Sequence, residues 1–236
     1  MKKDKTIYVG ILIFVFVFST INYGGIATDV CKREVHTVDP SVVLITGFEP
    51  FDIYEVNPSQ LIAETLDGQV INGAEVVGIV LPVDFEESVE NVTQAMEGYN
   101  PILVISLGLS PRTHVINVEK FGVNLKKLPR NENLWIFPRR INPCGPFIQA
   151  STLDTREIVM DIRSDDILVK QSLYAGMYVC NTVLYTMLGY IDEHDLDIQA
   201  GFIHVSLLPS QDPEGMELET MIDAVTIAIE TSLKTK

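Results

Sequence analysis

From Val42 onward, uninterrupted apolar runs alternate with stretches in which apolar residues recur every three or four positions. The run Val42–Thr46 (VVLIT) has the look of a strand buried on both faces, and Gly47 follows as a turn residue. Asn57-Pro58-Ser59 opens a helical stretch to about Leu66. Val76–Val83 reads as a second strand. Asp84 with Glu87 three residues on reads as a capping-box-like start for a second helix. After Pro101, Ile102–Leu107 (ILVISL) reads as a third strand that stops at Gly108. Asp154 with Glu157 starts another helix, running to about Arg163. Across Leu173–Glu193, residues Met177, Cys180, Leu184, Met187, Leu188 and Ile191 recur at helical spacing. Gly201–Leu208 (GFIHVSLL) is a late buried strand, and residues 215–233 form a closing amphipathic helix. Strands alternating with helices predict an α/β fold with a largely parallel sheet covered on both faces. Residues 125–150 hold four prolines and the single tryptophan, so they read as an insertion or long loop, a kind of segment that often carries function.

The first forty residues follow a different pattern. A basic start, MKKDK, precedes an uncharged run of 15 residues from Ile7 to Ile21 and a small-residue site at Gly25-Ile26-Ala27. Residues 1–27 therefore read as a signal peptide. If the run extends to Tyr23, residues 7–23 read instead as an uncleaved signal anchor that associates with a membrane. A buried β-strand is the third reading, since Val, Ile and Phe dominate. Residues 28–40 are polar and read as a linker, which leaves residues 41–236 as one domain. That length carries one sizeable α/β domain, and 47% apolar residues is enough for a packed core. The formal charge of −15 excludes nucleic-acid binding through a basic surface. Cys31, Cys144 and Cys180 form no CxxC pair, and the four histidines show no HExxH spacing, so no metal site is expected. An odd cysteine count leaves at least one thiol free in the monomer. Cys31 and Cys144 pair only if the protein is exported.

Strand ends of a parallel α/β sheet gather reactive residues, and three titratable residues fall at or near such places. Glu119 follows the third strand, Cys180 lies in the first turns of a helix, and His204 lies in an apolar strand. The positive end of a helix dipole stabilises a thiolate. A histidine in contact can take the thiol proton, and a carboxylate can hold the ring's other nitrogen. Each residue also has a plainer role open to it. A cysteine on an apolar helix face is by default core, a histidine within FIHVS is more often a hydrogen-bonded core residue, and Glu119 beside Lys120 makes a solvated charge pair. Spacing alone does not choose between these roles.

Several blocks, in order, resemble one family. TGFEPFDIYEVNPS (Thr46–Ser59) resembles the opening of the pyrrolidone-carboxylate peptidases, also called pyroglutamyl peptidase type I. LPVDF (Leu81–Phe85), GLSPRTHVINVEKFGVN (Gly108–Asn124), SLYAGMYVCNTVLY (Ser172–Tyr185) and GFIHVSLLPSQ (Gly201–Gln211) are similar to its later blocks. The likeness runs from about Val42 to the C-terminus. It implies a cysteine peptidase that removes N-terminal pyroglutamate from peptides and proteins. By this resemblance Cys180 is the nucleophile, His204 the base and Glu119 the orienting acid. It places Phe48, Phe51 and Tyr178 along the substrate pocket, with Arg112 near the site. It further implies a three-layer α/β/α sandwich with a mostly parallel mixed sheet, no metal or organic cofactor, and a homotetramer. The chain departs from the family pattern at Asp52-Ile53, where two glycines are usual, at Lys120, where arginine is usual, and at Ser206, where proline is usual. The N-terminal apolar segment is also atypical of a mostly cytosolic family.

Two other classes remain open on the sequence. The layered fold also hosts nucleoside phosphorylases, for which GLSPR is a weak phosphate cradle. The altered loops and apolar N-terminus also fit a non-catalytic, membrane-tethered relative that binds peptides.

Overall fold

The computed structural model describes residues 41–127 and 137–234. The segments read as signal or anchor (1–27, with the apolar run 7–23) and as linker (28–40) lie outside the described residues, and so does Cys31.

The described residues begin with strand β1 (Val42–Phe48), then helix α1 (Pro58–Leu66), strands β2 (Val70–Ile71) and β3 (Ala74–Leu81), and helix α2 (Glu87–Tyr99). Strands β4 (Leu103–Leu109), β5 (Ile116–Glu119), β6 (Phe121–Val123) and β7 (Ile148–Ala150) follow. Helix α3 (Thr155–Ser164), strand β8 (Val169–Ser172), helix α4 (Val179–Glu193), strand β9 (Gln199–Val205) and helix α5 (Leu218–Lys234) complete it. Seven strands form one sheet in the order β2-β3-β1-β4-β9-β5-β8. Its centre is parallel (β3-β1-β4-β9), β5 runs antiparallel to β9, and β8 runs parallel to β5. Strands β6 and β7 form a separate antiparallel pair.

Successive side chains on a strand point to opposite faces, and the two apolar clusters follow that alternation. On β1, Val43 and Ile45 join the cluster covered by α1, α3 and α5, while Leu44 joins the cluster covered by α2 and α4. On β9, Ile203 and Val205 face the first cluster, and Ala200 and Phe202 face the second. The result is the expected three-layer α/β/α sandwich.

Local chemistry explains the helix starts. Asn57 accepts a hydrogen bond from the Ser59 N–H at 3.1 Å, and Pro58 occupies the first turn, where its missing N–H removes no helical bond. Asp154 accepts from the N–H groups of Arg156 and Glu157. Asp84 accepts from those of Glu86 (2.8 Å) and Glu87 (3.0 Å), the latter first, which holds its carboxyl below the usual range. The helix expected from Leu173 begins only at Val179. Gly176 at φ +86° and Tyr178 in an extended conformation turn the chain away from helical geometry first.

Candidate active site

The pleat decides which side chains meet. Ile116 and Val118 of β5 point into the cluster under α3 and α5. Asn117 and Glu119 therefore point to the opposite face, beneath α4. On β9 the same alternation turns His204 to the α4 side, in line with Phe202. Antiparallel register sets Glu119 opposite Phe202 and Asn117 opposite His204. Glu119 and His204 are thus diagonal neighbours on one face, within reach for a long side chain. Their contact is direct, with His204 Nδ1 2.8 Å from Glu119 Oε1. Glu119 is 2% exposed and His204 8% exposed. The second carboxylate oxygen of Glu119 is buried without a protein partner.

Helix α4 supplies the third group. Cys180 is the second residue of the helix, half-buried, and its sulfur lies against Gly108, the residue opposite His204, where it faces the His204 ring. With Nδ1 held by Glu119, the other ring nitrogen is the one left for sulfur. Burial disfavours a charged imidazole, but the hydrogen bonds from Cys180 and Glu119, and their negative charge, outweigh it. Together they push His204 up to about 9. At neutral pH the ring accordingly favours its protonated form. Phe202 lies against the ring, with centres 4.8 Å apart.

The space for sulfur depends on Gly108, opposite His204 in the β4–β9 register. A Cβ there would lie 2.9 Å from Cys180 Sγ and 2.8 Å from the Phe202 ring. The start of α4 also lacks a side-chain cap, since Tyr178 makes no capping hydrogen bond. The first N–H groups of a helix have no intrahelical acceptor, so those beside Cys180 stay available to an anion.

The remaining sequence candidates surround this group at different distances from it. Phe48 is buried at the end of β1, in the same apolar cluster against which Cys180 packs. Its backbone N–H donates to Ser59 Oγ at 3.1 Å, which ties the first loop to α1. Phe51 packs edge-to-face on Tyr54 in the loop after β1, with ring centres 5.7 Å apart. Gln211, beyond β9, donates to the Val56 carbonyl at 2.8 Å and draws that loop toward the end of the His204 strand. Tyr178, 56% exposed, immediately precedes α4. Arg112 lies in the turn after β4 and is exposed. Ser206 is fully buried, and its hydroxyl has no protein partner. Cys144 is free and exposed. Among the described residues, no group of three or more His, Cys, Asp and Glu side chains is arranged to hold a metal ion. No described helix is long and apolar enough to cross a membrane.

Sequence reasoning missed Gly108 as a spacer for the thiol and Asn181 as a clamp. The Asn181 amide, fully buried, accepts from the Val123 N–H (2.8 Å) and donates to the Val123 and Leu125 carbonyls (2.9 Å each). Its signal is a lone amide inside the apolar run VCNTVLY.

Known proteins resemble this chain in sequence and in fold. Residues 41–235 match the family model described as pyroglutamyl peptidase. The pyrrolidone-carboxylate peptidase of Pyrococcus furiosus is 36% identical over 203 residues, 81% of this chain and 98% of that protein. The pyrrolidone-carboxylate peptidase of Mycobacterium tuberculosis is 33% identical, covering 82% of this chain and 93% of its own. Among solved structures, pyrrolidone carboxyl peptidase from Thermococcus litoralis superposes with a TM-score of 0.77 at 33% identity, over 82% of this chain and 94% of that one. The family model spans residues 41–235, and the chain belongs to the pyroglutamyl peptidase family.

Proposed function

We propose that this chain is a cysteine peptidase that removes N-terminal pyroglutamate from peptides and proteins, with residues 41–236 as its catalytic domain. One observation carries the reading: buried Glu119 holds one side of the His204 ring at 2.8 Å, while the Cys180 sulfur sits against Gly108, opposite His204 in the sheet. Cys180 acts as nucleophile, His204 as acid toward the leaving amine and then as base toward water, and Glu119 as the group that orients and stabilises the imidazolium.

The thiolate attacks the carbonyl carbon that joins pyroglutamate to the next residue, and a carbon–sulfur bond forms. The carbonyl oxygen takes the negative charge and is stabilised by the open N–H groups at the start of α4, aided by Arg112. The intermediate collapses, the carbon–nitrogen bond breaks, and the His204 imidazolium protonates the leaving amine. Water then gives its proton to His204 and attacks the thioester. The products are 5-oxoproline and the regenerated thiolate–imidazolium pair. A pyroglutamyl end is an uncharged lactam, so its pocket needs apolar walls and a few hydrogen bonds rather than an anionic anchor. Phe48, Phe51 and Tyr178 provide such walls. By the family resemblance the enzyme assembles as a homotetramer, which sedimentation checks. Residues 7–23 carry it to a membrane or out of the cell, which mass spectrometry of the mature N-terminus checks.

The test is hydrolysis of pyroglutamyl-aminomethylcoumarin by the full chain and by Cys180→Ala and Cys180→Ser. Turnover should need no phosphate, and Cys180→Ala should lose roughly 10⁴-fold or more in kcat. Full activity in Cys180→Ala refutes the assignment. Phosphate-dependent turnover would favour a phosphorylase, and binding without cleavage would favour a peptide-binding relative.

A further inference from the structure

We infer that Asn181 is a positioning residue that holds the Cys180 thiol in register with His204 and Glu119. This rests on the triad reading above. Asn181 does so by locking the start of α4 to the strand that continues from Glu119.

Strand β6 begins only two residues after Glu119, so Phe121–Val123 follows β5 with one residue between them. One edge of β6 pairs with β7. Toward α4 no strand lies beside Val123, and the Asn181 side chain takes that place. It receives the Val123 N–H and donates to the Val123 and Leu125 carbonyls. An asparagine amide offers one acceptor and two N–H donors, and all are used here. No carboxylate could make the two donations, and no apolar residue could make any. Backbone and side chain then close a short circuit. It runs from Cys180 to Asn181, across to Val123, back along the chain to Glu119, and through His204 to the sulfur.

A second observation on the same contact points the same way. A Cβ on Gly122 would lie 2.9 Å from Tyr185 Cα and 3.0 Å from its nitrogen. Helix α4 is therefore seated against the backbone of β6, with no side chain between them. Lys127 N–H donates to the Met177 carbonyl at 2.7 Å, which fixes the entry to α4 against the same segment. The helix cannot shift along its axis or lift from the sheet without breaking these bonds. A shift of about 1 Å in reacting groups costs on the order of 100-fold in rate.

The experiment compares wild type with Asn181→Ala, Asn181→Asp, Gly122→Ala and, as control, Tyr190→Phe. The control removes the 2.7 Å hydrogen bond from Tyr190 to Glu97 near the far end of α4. Readouts are kcat and KM on the coumarin substrate, and the pH profile of Cys180 alkylation by iodoacetamide. The alkylation profile reads the thiol directly and needs no assumption about substrate. In both Asn181 variants kcat should fall roughly 10- to 100-fold with KM within about threefold. Their alkylation at neutral pH should slow by roughly the same factor as kcat, which displaces the profile from that of wild type. Gly122→Ala should move both readouts in the same direction, and Tyr190→Phe should move neither. Asn181 variants with unchanged kcat and alkylation profile overturn the inference. So does a Tyr190→Phe profile displaced as far as theirs, which would mark a general loss of stability. If the Asn181 variants do not fold, Gly122→Ala decides alone, and an unmoved profile there overturns it. Failure of the activity reading is distinct, since wild type itself would then show no turnover.

Discussion

Helices α3 and α4 cover opposite faces of the sheet, and they begin in opposite ways. At α3, Asp154 turns its carboxylate onto the N–H groups of Arg156 and Glu157 and saturates the end of the helix. At α4, Tyr178 offers no such bond, and the second helical residue is Cys180. A capped start is stable and chemically silent. An uncapped start forgoes about 1 kcal/mol but keeps its donors and its dipole for an anion that arrives later. The protein closes the helix end that serves packing and leaves open the one beside the thiol.

This contrast breaks most completely at high pH. The His204 ring has its folded value raised from 6.5 to about 9, so the folded state holds the proton more tightly than the unfolded state. Its contribution to stability is fully present below about 6.5 and is lost as pH rises through about 9. Activity should fall over that same upper interval, because the leaving amine then has no imidazolium to protonate it. A pH–rate profile of kcat, run beside thermal melts, checks both. An activity limb well below pH 8 with no change in melting would contradict the ion pair.

A smaller effect comes from closing α4. Tyr178→Ser supplies a hydroxyl to the N–H groups beside Cys180. It should raise helix stability by about 1 kcal/mol and lower kcat about tenfold by competing with the oxyanion. Tyr178→Phe keeps the ring without adding a cap and serves as the comparison. Equal kcat in the Ser and Phe variants would mean that the open donors play no part. The smallest effect is the reverse change. Asp154→Ala should cost about 1 kcal/mol of stability in urea melts and leave kcat unaltered.

Much of the fold was legible because the central strands are buried on both faces. VVLIT, ILVISL and GFIHV are apolar apart from Thr46, Ser106 and His204, and they became β1, β4 and β9 with shifts of a few residues at their ends. Helices α1 and α3 were announced by Asn57 and Asp154, which the structure uses as caps. Strand β5 was not legible. Half of INVE turns polar side chains toward the site, so a short run that holds Glu119 does not look like a buried strand. Strand β8 (VKQS) lies at the sheet edge with two exposed residues and gives no apolar run. The start of α4 was misplaced because Met177 falls at helical spacing with Cys180, while the conformation of Gly176 overrides that periodicity. Cys180, His204 and Glu119 were each visible as residue types. Their meeting was not, because it depends on β5 entering the sheet antiparallel beside β9.

That inserted strand has a consequence for how the site meets the outside world. Glu119 approaches the imidazole from deep within the sheet, while the sulfur approaches from the rim. Exposure falls in the same direction, from a half-open thiol through a nearly sealed ring to an enclosed carboxylate. Electrophiles, oxidants and buffer ions thus reach the outermost atom of the relay and are screened from the rest. Damage by a reagent that enters from solvent should concentrate on sulfur, and the two inner members should survive it intact.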